Sequence, residues 1–271
     1  MFKRKLKINN NLSVNYYQSH TKYLNDDLKK TPVILIHGIY GNSEIFKNNF
    51  FEYFADDNLV FALDFLEDAN PSLLNIHVRQ LNFLLEHIGR PCNIVSFSFG
   101  GVIAQKSAET HYELIKKLVL VSSPPPVTLS VVQLNLMLKY PRLAFAFNHC
   151  LLAHKSYEVL PWIIQPIRKA MFLNDRHEDE YFHFLQNGFS LNLQYYYNNL
   201  DHIINLESLK KIKKLVICLN DDMMIDCSLT KMGANLLGAD IKSFDNIGHA
   251  VPFSNLWKDV AEYISLWMFR N

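Results

Sequence analysis

Four short runs of this chain are apolar without interruption: Pro32-Val33-Ile34-Leu35-Ile36, Leu59-Val60-Phe61-Ala62-Leu63, Leu118-Val119-Leu120-Val121 and Leu215-Val216-Ile217-Cys218-Leu219. Strands buried on both faces read this way, because neither side of the pleat meets water. A shorter one, Ile94-Val95, leads into small residues. Between the runs lie segments of helical length, Leu73 to Ile88 and Val102 to Tyr112, and a last one spans Leu256 to Phe269. Strands alternating with helices predict a mostly parallel sheet covered on both faces, an α/β fold. Leu6 to Gln18 differs: it alternates apolar and polar about an Asn-Asn turn, which predicts an N-terminal hairpin.

From Pro124 to about Leu206 the strand-like runs vanish. Apolar segments of helical period take over, with breaks expected at Pro141, Pro161 and Pro166. Residues 1–123 and 207–271 then form one α/β core, and 124–206 form a helical cap inserted into it.

Composition narrows the function classes. The chain has 271 residues, 49% hydrophobic and 20% charged, with a net charge of +1. That describes a globular protein with a sizeable core, and its charge balance directs it neither to nucleic acid nor to an anionic membrane. The four cysteines, Cys92, Cys150, Cys218 and Cys227, lack metal-ligand spacing. Such sparse use fits a reducing compartment with no disulfide framework. A basic start runs into Asn9-Asn10-Asn11 where a signal peptide needs an apolar stretch, and no run is long enough to cross a bilayer. A cytoplasmic location is the expectation.

Candidate chemistry gathers where the strands end. In Ser96-Phe97-Ser98-Phe99-Gly100-Gly101 a strand stops at a serine and restarts as a helix. A turn this sharp strains the serine backbone and needs small flanking residues. It also sets Ser98 at a helix N-terminus, where N–H groups favour a developing oxyanion. After the Pro32 run comes His37-Gly38-Ile39-Tyr40-Gly41, a turn that brings the Ile39 N–H toward that of Phe99 as a two-donor oxyanion hole. After the Leu215 run comes Asn220-Asp221-Asp222-Met223-Met224-Ile225-Asp226. A carboxylate at this strand edge faces the crevice of an open α/β sheet. Spacing favours Asp222, with Asp221 and Asp226 as rivals whose ordinary roles would be a turn or an N-cap. Finally, Gly248-His249 precedes the last helix, with the glycine freeing the turn that aims the imidazole.

These pieces make one mechanism. A serine hydroxyl is a weak nucleophile without a base, which His249 supplies. Asp222 fixes the imidazole tautomer and stabilises its charged form. No metal or organic cofactor is required.

In order and spacing, His37-Gly38, the Ser96-to-Gly101 elbow, Asp222-Met223-Met224-Ile225 and Gly248-His249 resemble the α/β-hydrolase superfamily across nearly the whole chain. The resemblance implies the order Ser98, Asp222, His249 and a serine hydrolase reaction. Two features depart from the pattern. Ser96 replaces the first elbow glycine, and Asp64-Phe65-Leu66-Glu67-Asp68 stands where a Gly-x-Gly is usual.

The cap holds Phe145, Phe147, Trp162 and Phe172, which either pack on the core or wall an acyl pocket. Five cations, Lys139, Arg142, Lys155, Arg168 and Lys169, face one acid, Glu158, in the window 127–173. They form a solvated face or a basic rim that steers an acidic partner, such as an acyl carrier protein or a coenzyme A thioester. Tyr40, Lys139, Arg142, Lys155, Phe145 and Trp162 are the candidate substrate or partner contacts. The short basic cap and the Ser-Phe-Gly-Gly elbow end are similar to carboxylesterases that demethylate pimeloyl-acyl-carrier-protein methyl ester, which would imply a place in biotin biosynthesis. His177 to His183 lacks metal-ligand spacing and reads as a solvated helix, Tyr195-Tyr196-Tyr197 as cap packing, and Lys210 to Lys214 as an exposed lead-in to a strand.

The resulting expectation is a serine carboxylic-ester or thioester hydrolase acting on a small or carrier-bound acyl substrate. A non-catalytic binding protein on the same fold and an acyltransferase using the same triad are the alternatives.

Overall fold

The computed structural model describes residues 2–8, 13–19, 30–38, 41–65, 74–126, 129–152, 161–173 and 204–270. Ile39, Tyr40, Lys155, His177 to His183, Tyr195 to Tyr197 and the Trp162 side chain lie outside the described set.

The apolar runs become strands: β3 (Val33–Ile36), β4 (Val60–Asp64), β5 (Cys92–Phe97), β6 (Ile115–Val121) and β7 (Lys213–Leu219). They pair in parallel, and β8 (Asp240–Phe244) adds a parallel edge beside β7. At the other edge β1 (Phe2–Lys7) and β2 (Ser13–Gln18) form an antiparallel hairpin joined to β4. The eight described strands run in the order β1-β2-β4-β3-β5-β6-β7-β8. The fold class is therefore the expected one, with β1 starting at Phe2 rather than Leu6.

Period-two alternation divides each strand between two cores. Ile34, Ile36, Ile94, Leu118, Leu120 and Val216 point to one face, together with buried residues of α2 (Leu74–Ile88), α3 (Gly100–His111) and the inserted helices. Val33, Leu35, Val95, Val119, Val121, Leu215 and Ile217 point to the other, against α1 (Phe50–Ala55) and the C-terminal helix (Trp257–Phe269). There Phe50 packs edge-on to Phe97, with ring centroids 4.9 Å apart.

Between β6 and β7 the described residues are helical: α4 (Leu129–Lys139), α5 (Pro141–Leu152), α6 (Pro161–Phe172) and the short α7 (Leu206–Lys210). Pro141 and Pro161 open their helices, where the missing N–H costs nothing because that donor has no intrahelical acceptor. Pro166 corrects the sequence expectation, since it lies inside α6 and the helix continues through it. Two further α-helices among the described residues are α8 (Cys227–Leu237), between β7 and β8, and α9 (Trp257–Phe269).

Two lysines of the sheet are buried. Lys117 Nζ donates to the Trp267 and Met268 carbonyls at 3.1 and 2.8 Å, and Lys214 Nζ to those of Leu209 and Ile212 at 2.7 and 2.6 Å. A cation there satisfies the unpaired carbonyls and the negative dipole end of α9 and α7. Burial pushes both ammonium groups below the usual lysine range. Lys214 thereby departs from the exposed lead-in expected of residues 210–214, where Lys210, Lys211 and Lys213 are exposed.

One cysteine pair departs from the expectation of no disulfide framework. Cys218 of β7 and Cys227, the first residue of α8, are joined across a Cα–Cα distance of 5.4 Å. Cys92 is free and buried, and burial raises its thiol to about 12. No helix among the described residues is long and apolar enough to cross a membrane.

Candidate active site

At the end of β5 the backbone of Ser98 turns left-handed, with φ of 51°. Its N–H donates to the Val121 carbonyl at 3.0 Å, continuing the β5–β6 ladder one residue past the strand. The chain then enters α3 with Phe99 as the cap residue. Gly100 is required by close approach, because a Cβ there would overlap the His37 carbonyl oxygen. Ser96, at the position of the usual first glycine, is fully buried and donates to the Val119 carbonyl at 2.9 Å, so its hydroxyl has an internal partner.

Ser98 Oγ stands 2.8 Å from His249 Nε2. On the far side of that ring, Nδ1 stands 2.7 Å from Asp222 Oδ2. The carboxylate oxygen can only accept from an imidazole, so Nδ1 carries the proton and Nε2 presents its lone pair to the serine. Asp222 is buried, and its other oxygen, Oδ1, accepts from the Met224 and Ile225 N–H groups at 2.7 and 3.1 Å. The rival acids are otherwise engaged. Asp221 is exposed and accepts from the Asn246 N–H at 2.7 Å. Asp226 caps α8, accepting from the Ser228 N–H at 2.8 Å.

Helices between β6 and β7 contact both loops. His249 N–H donates to the Ala170 carbonyl at 3.1 Å, and Ala250 N–H to that of Met171 at 2.9 Å, both at the end of α6. Lys139, at the end of α4, pairs with Asp226 at 2.8 Å. Burial pushes the Asp226 carboxyl up, but donation from Lys139 and Ser228 outweighs it and holds it below the usual range. Lys139 is therefore occupied by an acid of its own chain. Arg142 and Phe145 are both exposed, Phe145 to 58%. Phe172 is buried and meets Phe253 edge-on.

His37 lies beneath the site. Its Nδ1 is 2.8 Å from the Gly38 carbonyl, which can only accept, so Nδ1 bears the proton. Its Nε2 has no partner among the described residues, and the ring packs edge-on to Phe65. Burial holds the imidazole below the usual histidine range, outweighing the Gly38 carbonyl and Asp64, which act the other way.

One residue at the site carries little sequence signal. Ser122, directly after β6, donates from Oγ to Asp222 Oδ2 and lies 3.4 Å from His249 Nδ1. Its only mark in the sequence is a serine pair at the end of the strand next to the elbow strand.

The chain's similarities agree with this architecture. No curated protein matches it. A thermophilic esterase from Thermogutta terrifontis superposes with a TM-score of 0.75 at 14% identity, covering 100% of this chain and 99% of the other. The enol-lactonase from Burkholderia xenovorans gives 0.70 at 13% identity, covering 96% and 97%. A bromoperoxidase from Bacillus anthracis gives 0.70 at 16% identity, covering 99% of both chains. Identities this low establish a shared fold. The sequence profile described as the alpha/beta hydrolase family matches residues 33–263, which include the elbow, the acid loop and the histidine loop. This chain therefore belongs to the alpha/beta hydrolase family.

Proposed function

We propose that the protein is a serine hydrolase that cleaves a carboxylic ester or thioester through an acyl-Ser98 intermediate. The observation that carries this reading is the continuous line from Ser98 Oγ through His249 to Asp222, with contacts of 2.8 and 2.7 Å. His249 Nε2 takes the hydroxyl proton as Ser98 Oγ bonds to the acyl carbon. Asp222 stabilises the imidazolium that forms. The N–H groups of Phe99 and Ile39 hold the tetrahedral oxyanion, and one such donor contributes about 2.7–4 kcal/mol to lowering the barrier. Collapse expels the alcohol or thiol, which receives the proton from His249. Water then attacks the acyl-serine by the same route, releasing the acid and restoring Ser98.

Similar folds named as an esterase and an enol-lactonase agree with ester chemistry. An acidic acyl-carrier partner remains part of the proposal with a reduced docking set, since Lys139 is paired internally and Arg142 is the exposed cation of α5.

A p-nitrophenyl ester series from acetate to palmitate, run on wild type and Ser98→Ala, tests the reading. The expected result is a chain-length optimum in the wild type and a loss of roughly four orders of magnitude or more in the variant. Equal, negligible rates in both would remove ester hydrolysis.

A further inference from the structure

We infer that Ser122 is a positioning residue that fixes the Asp222 carboxylate against His249; this rests on the hydrolase reading above. The two stand 100 residues apart in the chain, and the Ser122 hydroxyl donates to Asp222 Oδ2, the same oxygen that His249 Nδ1 faces at 2.7 Å. Oδ1 takes the Met224 and Ile225 N–H groups. An ionised carboxylate has about four lone-pair sites, and here four donors fill them. Three come from the acid's own loop and the base. Ser122 is the donor from a third element, and it stops the carboxylate from turning about its χ2 bond away from the imidazole.

Backbone geometry supports this independently. Ser122 has φ of 43°, the left-handed region that a non-glycine residue seldom occupies. The only other left-handed residue at the described end of a parallel strand is Ser98 itself, with φ of 51°. The two form matching steps on neighbouring strands. Ser98 N–H donates to Val121 O at 3.0 Å, and Ser122 N–H donates to Ile217 O at 2.9 Å. The ladder thus carries β5 and β6 one residue past their ends, and the turn at Ser122 brings its side chain to Asp222 in the loop after β7. Ser122 is buried, with 2% of its surface exposed. A strained, buried serine facing a catalytic pair is the pattern of a backbone held for function.

The test compares wild type with Ser122→Ala and Ser122→Gly. Glycine relieves the left-handed backbone but lacks the hydroxyl, so it separates the two contributions even if the alanine variant folds poorly. The readouts are kcat and KM on the best p-nitrophenyl ester, the rate at which a fluorophosphonate labels Ser98, and the melting temperature. Both variants are expected to lose about tenfold in kcat and in labelling rate, the scale of one hydrogen bond to a charged group, with KM within about twofold. Ser122→Gly is expected to do so while melting no lower than Ser122→Ala. If wild type is labelled and active but both variants match it, Ser122 has no positioning role, although the hydrolase reading survives. Restoration of full kcat by Ser122→Gly would also overturn the proposal, by reducing Ser122 to a backbone turn. A wild type that neither reacts with the probe nor cleaves any ester would overturn the hydrolase reading and this inference together.

Discussion

The main-chain N–H of His249 donates to the carbonyl of Ala170, the antepenultimate residue of α6, at 3.1 Å. His249 is thus held by a helix that lies between β6 and β7 in the chain. Gly248 makes the approach possible, since a Cβ there would lie 2.5 Å from the Met171 carbonyl oxygen. Gly248→Ala should push the histidine loop off α6 and move the imidazole from Ser98. A displacement of about 1 Å costs about a hundredfold in rate. Steady-state kinetics of the folded variant check this, and wild-type kcat/KM would show that the α6 contact is dispensable.

His37 ties acid stability to the site. Burial lowers its pKa in the folded protein, whereas the unfolded chain titrates near 6.5. Below that pH the unfolded state binds the extra proton and the folded state resists it, so stability is present above about 6.5 and is lost as pH falls. Urea midpoints from pH 8 to pH 5 should fall more steeply for wild type than for His37→Asn. Parallel curves would show that His37 does not set the acid limb.

The Cys218–Cys227 link encloses the loop that carries Asp222. Closing a loop of this length restricts the unfolded chain by about 2–3 kcal/mol. Reduction, or replacement by Cys218→Ser with Cys227→Ser, is predicted to lower the urea midpoint accordingly and to reduce ester turnover. An intact mass that does not rise by two hydrogens on reduction would remove the link. Unchanged stability would show that the loop is held by its hydrogen bonds alone.

Much of the fold was legible because burial on both faces forces a recognisable composition. β3, β4, β6 and β7 are nearly uninterrupted apolar runs for that reason. β8 was not legible: as the edge strand, its Asp240-Ile241-Lys242-Ser243-Phe244 needs no continuous apolar face. α1 is six residues crowded with aromatics and shows no helical period. Pro166 reads as a stop, yet packing of Ile167, Ala170 and Met171 into the core holds α6 together around it. At the site, residue types and chain order pointed to Ser98, Asp222 and His249 as candidates. The hold of α6 on His249 left only Gly248 as its trace, and in the sequence that glycine reads as a turn residue. Ser122 was hidden for a related reason, since a serine after a strand is common and only the fold brings it to the acid.

The most direct measurement of the central claim is the intact mass of the protein after reaction with a fluorophosphonate, followed by peptide mapping. A His249-activated Ser98 predicts one adduct per chain, on Ser98, absent from Ser98→Ala and formed far more slowly in His249→Ala. An unlabelled wild type, or an adduct that persists in Ser98→Ala, would contradict it.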